Sequence, residues 1–141
     1  MRKIKGPDTL FIFADGGSRG NPGPSGVGVV LLDEKNEKAG EISKYIGSAT
    51  NNVAEYLAVI YGLQEAVCLK AGKVVLHVDS QLVARQLKGE YRVKDQTLRK
   101  FFDLALNLLR EFDKVEIKEI PREENKDADI LVNRAINLRA Y

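Results

Sequence analysis

Four acidic residues stand where surface decoration does not explain them. Asp15 closes the apolar run LFIFA and opens a glycine-rich stretch, GGSRGNPGPSG. Asp79 closes a second apolar run, VVLHV. Glu55 lies in the first turn of a long helical segment whose same stripe carries Ala58, Val59, Gly62 and Ala66. Small side chains of that kind let a helix come close to a sheet. Asp129 heads the stripe Asp129, Val132, Ile136 of the last helical segment, spaced i, i+3, i+7.

Single acids of this kind have ordinary explanations. Asp79 is a suitable cap for the SQLVARQL helix. Asn52 and Glu55 have capping-box spacing, N-cap and N3. Asp127 fits a first-turn charge favoured by the helix dipole, and Glu123 and Glu124 fall in a loop where acids are normally solvated. The four together are harder to explain this way. Four carboxylates converging at one end of a sheet repel each other unless positive charge lies among them. No matching set of Arg or Lys accompanies them. All-oxygen ligands without His or Cys favour Mg²⁺ or Mn²⁺. Two such ions about 4 Å apart are the usual arrangement for attack of water on a phosphodiester.

The elements that must position these acids follow from the hydropathy pattern. Residues 10–14 and 26–32 are apolar runs expected to be strands, the first buried on both faces. GEISKYIG alternates and forms a third strand, joined to the second as a hairpin. Residues 52–71 are expected to be helical, with Gly72 at the C-terminus. KVVLHVD is a fourth strand and SQLVARQLKGEY a short helix with its exit. DQTLRKFFDLALNLLREF is an amphipathic helix with Phe101, Leu104, Ala105 and Leu108 on one stripe. KVEIKEI is a fifth strand, and NKDADILVNRAINL a final helix. The order βββαβααβα makes a mixed five-stranded sheet, α/β in class, with helices on its faces. The first strand is the expected centre. Asp15 and Asp79 then lie at the carboxyl ends of parallel strands, where open α/β sheets bind ligands.

The 141 residues suit one domain, 1–141, without an internal repeat or linker. A net charge of +2 is too small to demand a polyanionic partner and does not exclude one. The single cysteine, Cys68, rules out an intramolecular disulfide, and it is expected in the core. The N-terminus MRKIKGPD has no apolar signal core and no segment is long enough to span a bilayer. A cytoplasmic, monomeric protein without membrane or obligate protein partner is the expectation.

FADGGSRGNPGPSGVGVVL, TNNVAEYLAVIYGL, HVDSQLVARQL and PREENKDADILVNRA resemble, in order, the four sequence blocks of the type 1 ribonuclease H family, and cover nearly the whole chain. The resemblance implies a sheet of order 3-2-1-4-5, with strands 1–3 antiparallel and 1-4-5 parallel. It implies endonucleolytic hydrolysis of the RNA strand of RNA/DNA hybrids. Two Mg²⁺ ions, or Mn²⁺ in their place, would serve the reaction, which leaves 5′-phosphate and 3′-hydroxyl ends. Double-stranded RNA is a further candidate substrate. Position by position, the resemblance makes Asp15, Glu55, Asp79 and Asp129 the catalytic metal ligands. It places Gly16, Gly17 and Asn21 near the nucleic-acid backbone, Thr50 and Asn51 in a DNA phosphate pocket, and Asn52 and Gln81 in the substrate groove.

The chain departs from that pattern in two places. Many members carry a His in the loop before the last helix. Here the loop reads IPREENKDAD, and Arg122 and Glu124 are the candidates to replace it. The only histidine, His77, is mid-strand and structural in expectation. There is no basic protrusion of the usual kind: Lys88, Arg92, Lys94 and Arg99, with Tyr91, form either phosphate contacts or a solvated turn, and the expectation is a compact form without a separate N-terminal hybrid-binding domain. The rival readings are another metal-dependent nuclease on the same fold and a module that binds hybrids without cutting. A dinucleotide site fails because a strand, not a helix, follows the glycine loop.

Overall fold

The computed structural model describes residues 6–139. The basic residues at positions 1–5, considered above as a leader, lie outside them. The strands are β1 (Thr9–Ser18), β2 (Gly23–Leu32), β3 (Lys38–Ala49), β4 (Lys73–Val78) and β5 (Lys114–Glu119). The helices are α1 (Asn51–Cys68), α2 (Gln81–Leu87), α3 (Gln96–Leu109) and α4 (Lys126–Leu138), with a short 3₁₀ turn at Arg122–Glu124. The sheet order is β3-β2-β1-β4-β5. β1, β2 and β3 pair antiparallel, while β1–β4 and β4–β5 pair parallel. This is the expected topology with β1 at the centre.

Period-2 alternation divides the sheet into two faces. Leu10, Ile12 and Ala14 of β1 and Val74, Leu76 and Val78 of β4 join Tyr56, Val59 and Leu63 of α1 in one fully buried cluster. Phe11 and Phe13 face the other way and are only half-buried, so β1 is not sealed on both faces as expected. Phe13 stacks on His77 with ring centroids 4.1 Å apart, and His77 Nδ1 lies 3.0 Å from the Ile12 carbonyl oxygen. Burial lowers the pKa of His77, against the pull of that carbonyl. A neutral ring in a stack is a structural group, as expected.

The small-residue stripe of α1 serves close packing. A Cβ on Gly62 would fall 2.9 Å from Ile12 Cγ2. Several element ends differ from expectation. α1 stops at Cys68, and Lys70, not Gly72, takes the left-handed conformation after it. Gly72 instead joins the sheet margin, where its carbonyl accepts from the Asp113 N–H. Cys68 is exposed rather than core: it follows buried Ala66 by two residues, which turns it to the outer face of the helix. Leu104 is likewise exposed, at 45%, because α3 buries the stripe Leu98, Ala105, Leu109 and Leu104 lies on its edge. Among the described residues no helix is long and apolar enough to cross a membrane.

Candidate active site

The parallel pairing of β1 with β4 ends at Ala14↔Val78. The next residue on each strand is an acid, Asp15 and Asp79. β4 stops there, but β1 continues to Ser18 against β2 alone. Asp15 therefore does not end its strand, as the sequence suggested. It sits where the sheet narrows, and the space β4 vacates is the site. α1 enters this space from one face. Its N-cap is Thr50, whose Oγ1 accepts from the Val53 N–H, so the proposed Asn52–Glu55 capping box does not form. Glu55 faces the groove instead. The α2 cap is Ser80, accepting from the Val83 N–H, which leaves Asp79 free of the capping role also considered for it.

Carboxylate oxygens of Asp15, Glu55 and Asp79 come within 4.8 Å of one another. Asp129, from the first turn of α4, lies outside this close trio but lines the same groove. Its charge acts on Asp15. Asp15 is pushed up to about 8, first by burial, then by the charges of Asp79 and Asp129, with Arg122 pulling the other way. Burial, then Asp15 and Asp79, hold Glu55 well above the ordinary carboxylate value, again opposed by Arg122. Repulsion among buried oxygens is the condition a hard divalent cation relieves, and the donor set is oxygen only. The residues present fit such an ion.

The groove, about 430 Å³, is lined on the β1 side by Gly16, Gly17 and Arg19, at the α1 start by Asn51 and Asn52, and across from them by Arg122 and Asn133. The chain has the shape of known proteins. A family model described as "Reverse transcriptase-like" matches residues 13–135. The Mycobacterium tuberculosis "Bifunctional protein Rv2228c" is 43% identical over 93% of this chain, which spans 36% of that protein. The crystal structure of RNase H1 from Halobacterium salinarum superimposes with a TM-score of 0.89 at 41% identity, covering 92% of this chain and 98% of that one. LC11-RNase H1, solved in complex with an RNA/DNA hybrid, gives 0.87 at 43% identity over 92% and 98%. This chain belongs to the ribonuclease H family.

Against the ribonuclease H pattern, the expected substrate residues fall into distinct places. Gly16, Gly17, Asn51 and Asn52 line the acidic groove. Asn21, Thr50 and Asn52 line a second, smaller groove with Val53, Asp95 and Thr97. Asn52 is common to both. Asn21 and Asn51 also tie the glycine loop to α1: Asn21 Oδ1 accepts from the Asn51 N–H (3.1 Å) and Asn51 Oδ1 from the Ser18 N–H (2.8 Å). Gln81 opens α2, is exposed, and is not among the residues lining either groove.

The loop candidates separate. Arg122 lines the acidic groove, whereas Glu124 lines a different one with Phe13, Val30 and Leu32. Of the basic residues considered in place of a protrusion, Arg99 pairs with Asp103 (3.1 Å), and Tyr91 packs under Arg85. Two residues escaped the sequence reading: Arg19, which lines the acidic groove, and Asn125, which bonds to Asp79 from behind it. Arg19, the one charge within the glycine loop, was visible but unassigned. Asn125 looked like an ordinary helix-start residue, and no spacing shows where its amide points.

Proposed function

We propose that this chain is an endoribonuclease that cleaves the RNA strand of RNA/DNA hybrids, with Asp15, Glu55, Asp79 and Asp129 holding two Mg²⁺ or Mn²⁺ ions. The observation that carries the reading is the trio of carboxylates within 4.8 Å at the point where β4 ends beside β1. Membership of the ribonuclease H family and the hybrid complex of LC11-RNase H1 support the substrate class. Divalent cations held by these four carboxylates would supply Lewis-acid stabilisation to the phosphodiester and would lower the pKa of the attacking water.

The chain's own residues bind and orient. Ionised Asp15, Glu55, Asp79 and Asp129 give the groove its cation affinity. Arg19 and Arg122 offset the acids and draw the phosphate backbone in. Gly16 and Gly17 present backbone at the groove wall, close enough to read a 2′-hydroxyl. Asn21, Thr50 and Asn52 line the neighbouring groove for the DNA strand, whose contacts fix register without reading bases. The products are 5′-phosphate and 3′-hydroxyl ends.

The test is cleavage of labelled RNA/DNA hybrid, double-stranded RNA, double-stranded DNA and single-stranded RNA, each with Mg²⁺, Mn²⁺ or EDTA. Wild type and Asp79→Asn are compared. Metal-dependent cutting of the hybrid's RNA strand, lost in a folded Asp79→Asn, is the expected result. Binding of hybrid without cutting of any duplex would identify a non-cleaving module and overturn the reading. Cutting of double-stranded RNA by the same acids would widen the substrate range.

A further inference from the structure

Asn125 is buried to 1% exposure at the N-terminus of α4. Its side chain does not cap that helix, although Asn at this position ordinarily accepts from a first-turn N–H. Instead Nδ2 donates twice, to the Ala14 carbonyl oxygen at 2.9 Å and to Asp79 Oδ2 at 2.8 Å. Its own carbonyl accepts the Asp129 N–H at 3.1 Å. One residue thus touches the peptide before Asp15, the carboxylate of Asp79 and the backbone of Asp129.

The orientation of the amide is forced. Turned over, Oδ1 would face two acceptors, a carbonyl and a carboxylate. As it stands, Oδ1 is buried without a hydrogen-bond partner. A side chain that gives up a helix cap and leaves an acceptor unsatisfied, while spending both donors on one strand and one acid, is placed for that acid.

We infer that Asn125 is a positioning residue that clamps the Asp79 carboxylate to β1 and so sets the geometry in which the acids receive a divalent cation. The inference rests on the metal-dependent reading above. The neutral amide is suited to this work. It fixes one oxygen of Asp79 by a hydrogen bond, leaves the other free, and adds no fifth charge to the cluster. Groups that orient a metal-binding side chain in this way typically change affinity or activity about 10- to 100-fold when removed.

The test compares Asn125→Ala with Leu109→Ala, a core truncation in α3 remote from the acids. Mg²⁺ binding is measured by calorimetry, steady-state kinetics on hybrid give kcat and KM, and thermal unfolding reports the fold. The expected result for Asn125→Ala is Mg²⁺ affinity weakened about 10- to 100-fold, kcat lowered within the same range and KM for hybrid unchanged. Leu109→Ala should lose thermal stability while keeping Mg²⁺ affinity and kcat. Asn125→Ala with wild-type Mg²⁺ affinity and kcat, or with changes no larger than those of Leu109→Ala, overturns the clamp.

If Asn125→Ala does not fold, the wild-type side-chain amide decides by NMR. Nδ2 protons slow to exchange and shifted by Mg²⁺ support the clamp; signals indifferent to Mg²⁺ overturn it. Wild type that binds Mg²⁺ but cuts nothing would sink the cleavage reading while the affinity comparison still judged Asn125. Wild type that binds no Mg²⁺ would sink both.

Discussion

Asp15 and Gly28 face each other across the β1–β2 ladder, and that pairing sets how near α4 comes to the acids. A Cβ at Gly28 would lie 2.1 Å from the Ala128 carbonyl oxygen and 2.9 Å from the Val132 nitrogen. The backbone of α4 occupies the place of the missing side chain, and the residue after Ala128 is Asp129. The same device appears one residue after Asp15. A Cβ at Gly16 would lie 2.1 Å from the Ala54 carbonyl oxygen, and the residue after Ala54 is Glu55. Each helix-borne acid is thus the neighbour of an alanine whose carbonyl rests on a glycine beside Asp15.

Gly28→Ala should therefore damage the site as well as the fold. The clash is with helix backbone, which cannot rotate away, so α4 must lift. Overpacking of this kind costs typically about 1–3 kcal/mol. The expected outcome is a lower melting temperature together with loss of hybrid cleavage measured well below it. Gly17→Ala is the comparison for stability, because its Cβ would meet only Val132 Cγ1 at an ordinary 3.4 Å. Equal melting temperatures for the two variants would contradict the role assigned to Gly28.

The metal-free protein should lose stability as pH rises. Asp15, at about 8 in the fold against an ordinary value of 3.8, holds its proton in the native state over a range where the unfolded chain has released it. Glu55 shifts in the same direction. The folded state thus binds more protons than the unfolded one between roughly pH 4 and 8, so the stability these groups contribute falls across that window. Thermal unfolding in EDTA should show the melting temperature descending from about pH 5 to about pH 8, by roughly 4 °C per kcal/mol lost. Mg²⁺ should restore most at the alkaline end and release protons as it binds. A flat EDTA profile with proton-neutral Mg²⁺ binding would contradict the electrostatic account.

The topology and the four acids were legible because both follow from short-range pattern. Apolar runs ending in Asp mark parallel strands reaching one edge, and a stripe such as Asp129, Val132, Ile136 reports which face of a helix is buried. What stayed hidden depends on contacts between distant segments. Asn52 and Asp79 have good capping chemistry, yet Thr50 and Ser80 hold those caps, since local spacing cannot rank adjacent candidates. Gly28 read as one more strand residue because its neighbour, Ala128, is 100 positions away. Leu104 was misplaced by a fraction of a helical turn, the margin within which hydrophobic periodicity cannot separate a stripe from its edge, whereas Cys68 lies on the face opposite buried Ala66, and a cysteine's small apolar side chain does not reveal that from its type alone.

Tyr56→Phe should reduce stability and leave catalysis alone. Tyr56 is fully buried on α1, and its hydroxyl donates to Gln86 Oε1, whose Nε2 continues to the Arg92 carbonyl oxygen. Removing the hydroxyl leaves the buried Gln86 oxygen without its donor, a loss of about 1–3 kcal/mol. Burial raises the phenol's pKa, so the hydroxyl remains a donor throughout the working range. Chemical denaturation should report the loss with an unchanged m-value, while kcat measured below the transition stays at the wild-type level. A change in kcat without a change in stability would contradict the structural assignment of this pair.

Arg122 and Glu124 are two residues apart and face different grooves, which makes them separable in a way the sequence alone did not allow. Arg122 lowers the pKa of both Asp15 and Glu55. Without it both carboxyls keep their protons to higher pH, and fewer are ionised to hold a cation at any given acidic pH. Arg122→Ala should move the acid limb of the pH–rate profile for hybrid cleavage upward by about one unit. The rate loss is then largest near pH 6 and shrinks toward alkaline pH, where the acids ionise unaided. Glu124→Gln should leave the profile in place, since its side chain borders Phe13, Val30 and Leu32 instead of the acids. A pH-independent loss in Arg122→Ala would make its role phosphate binding alone, and a shifted limb in Glu124→Gln would assign a proton-handling role to that residue instead.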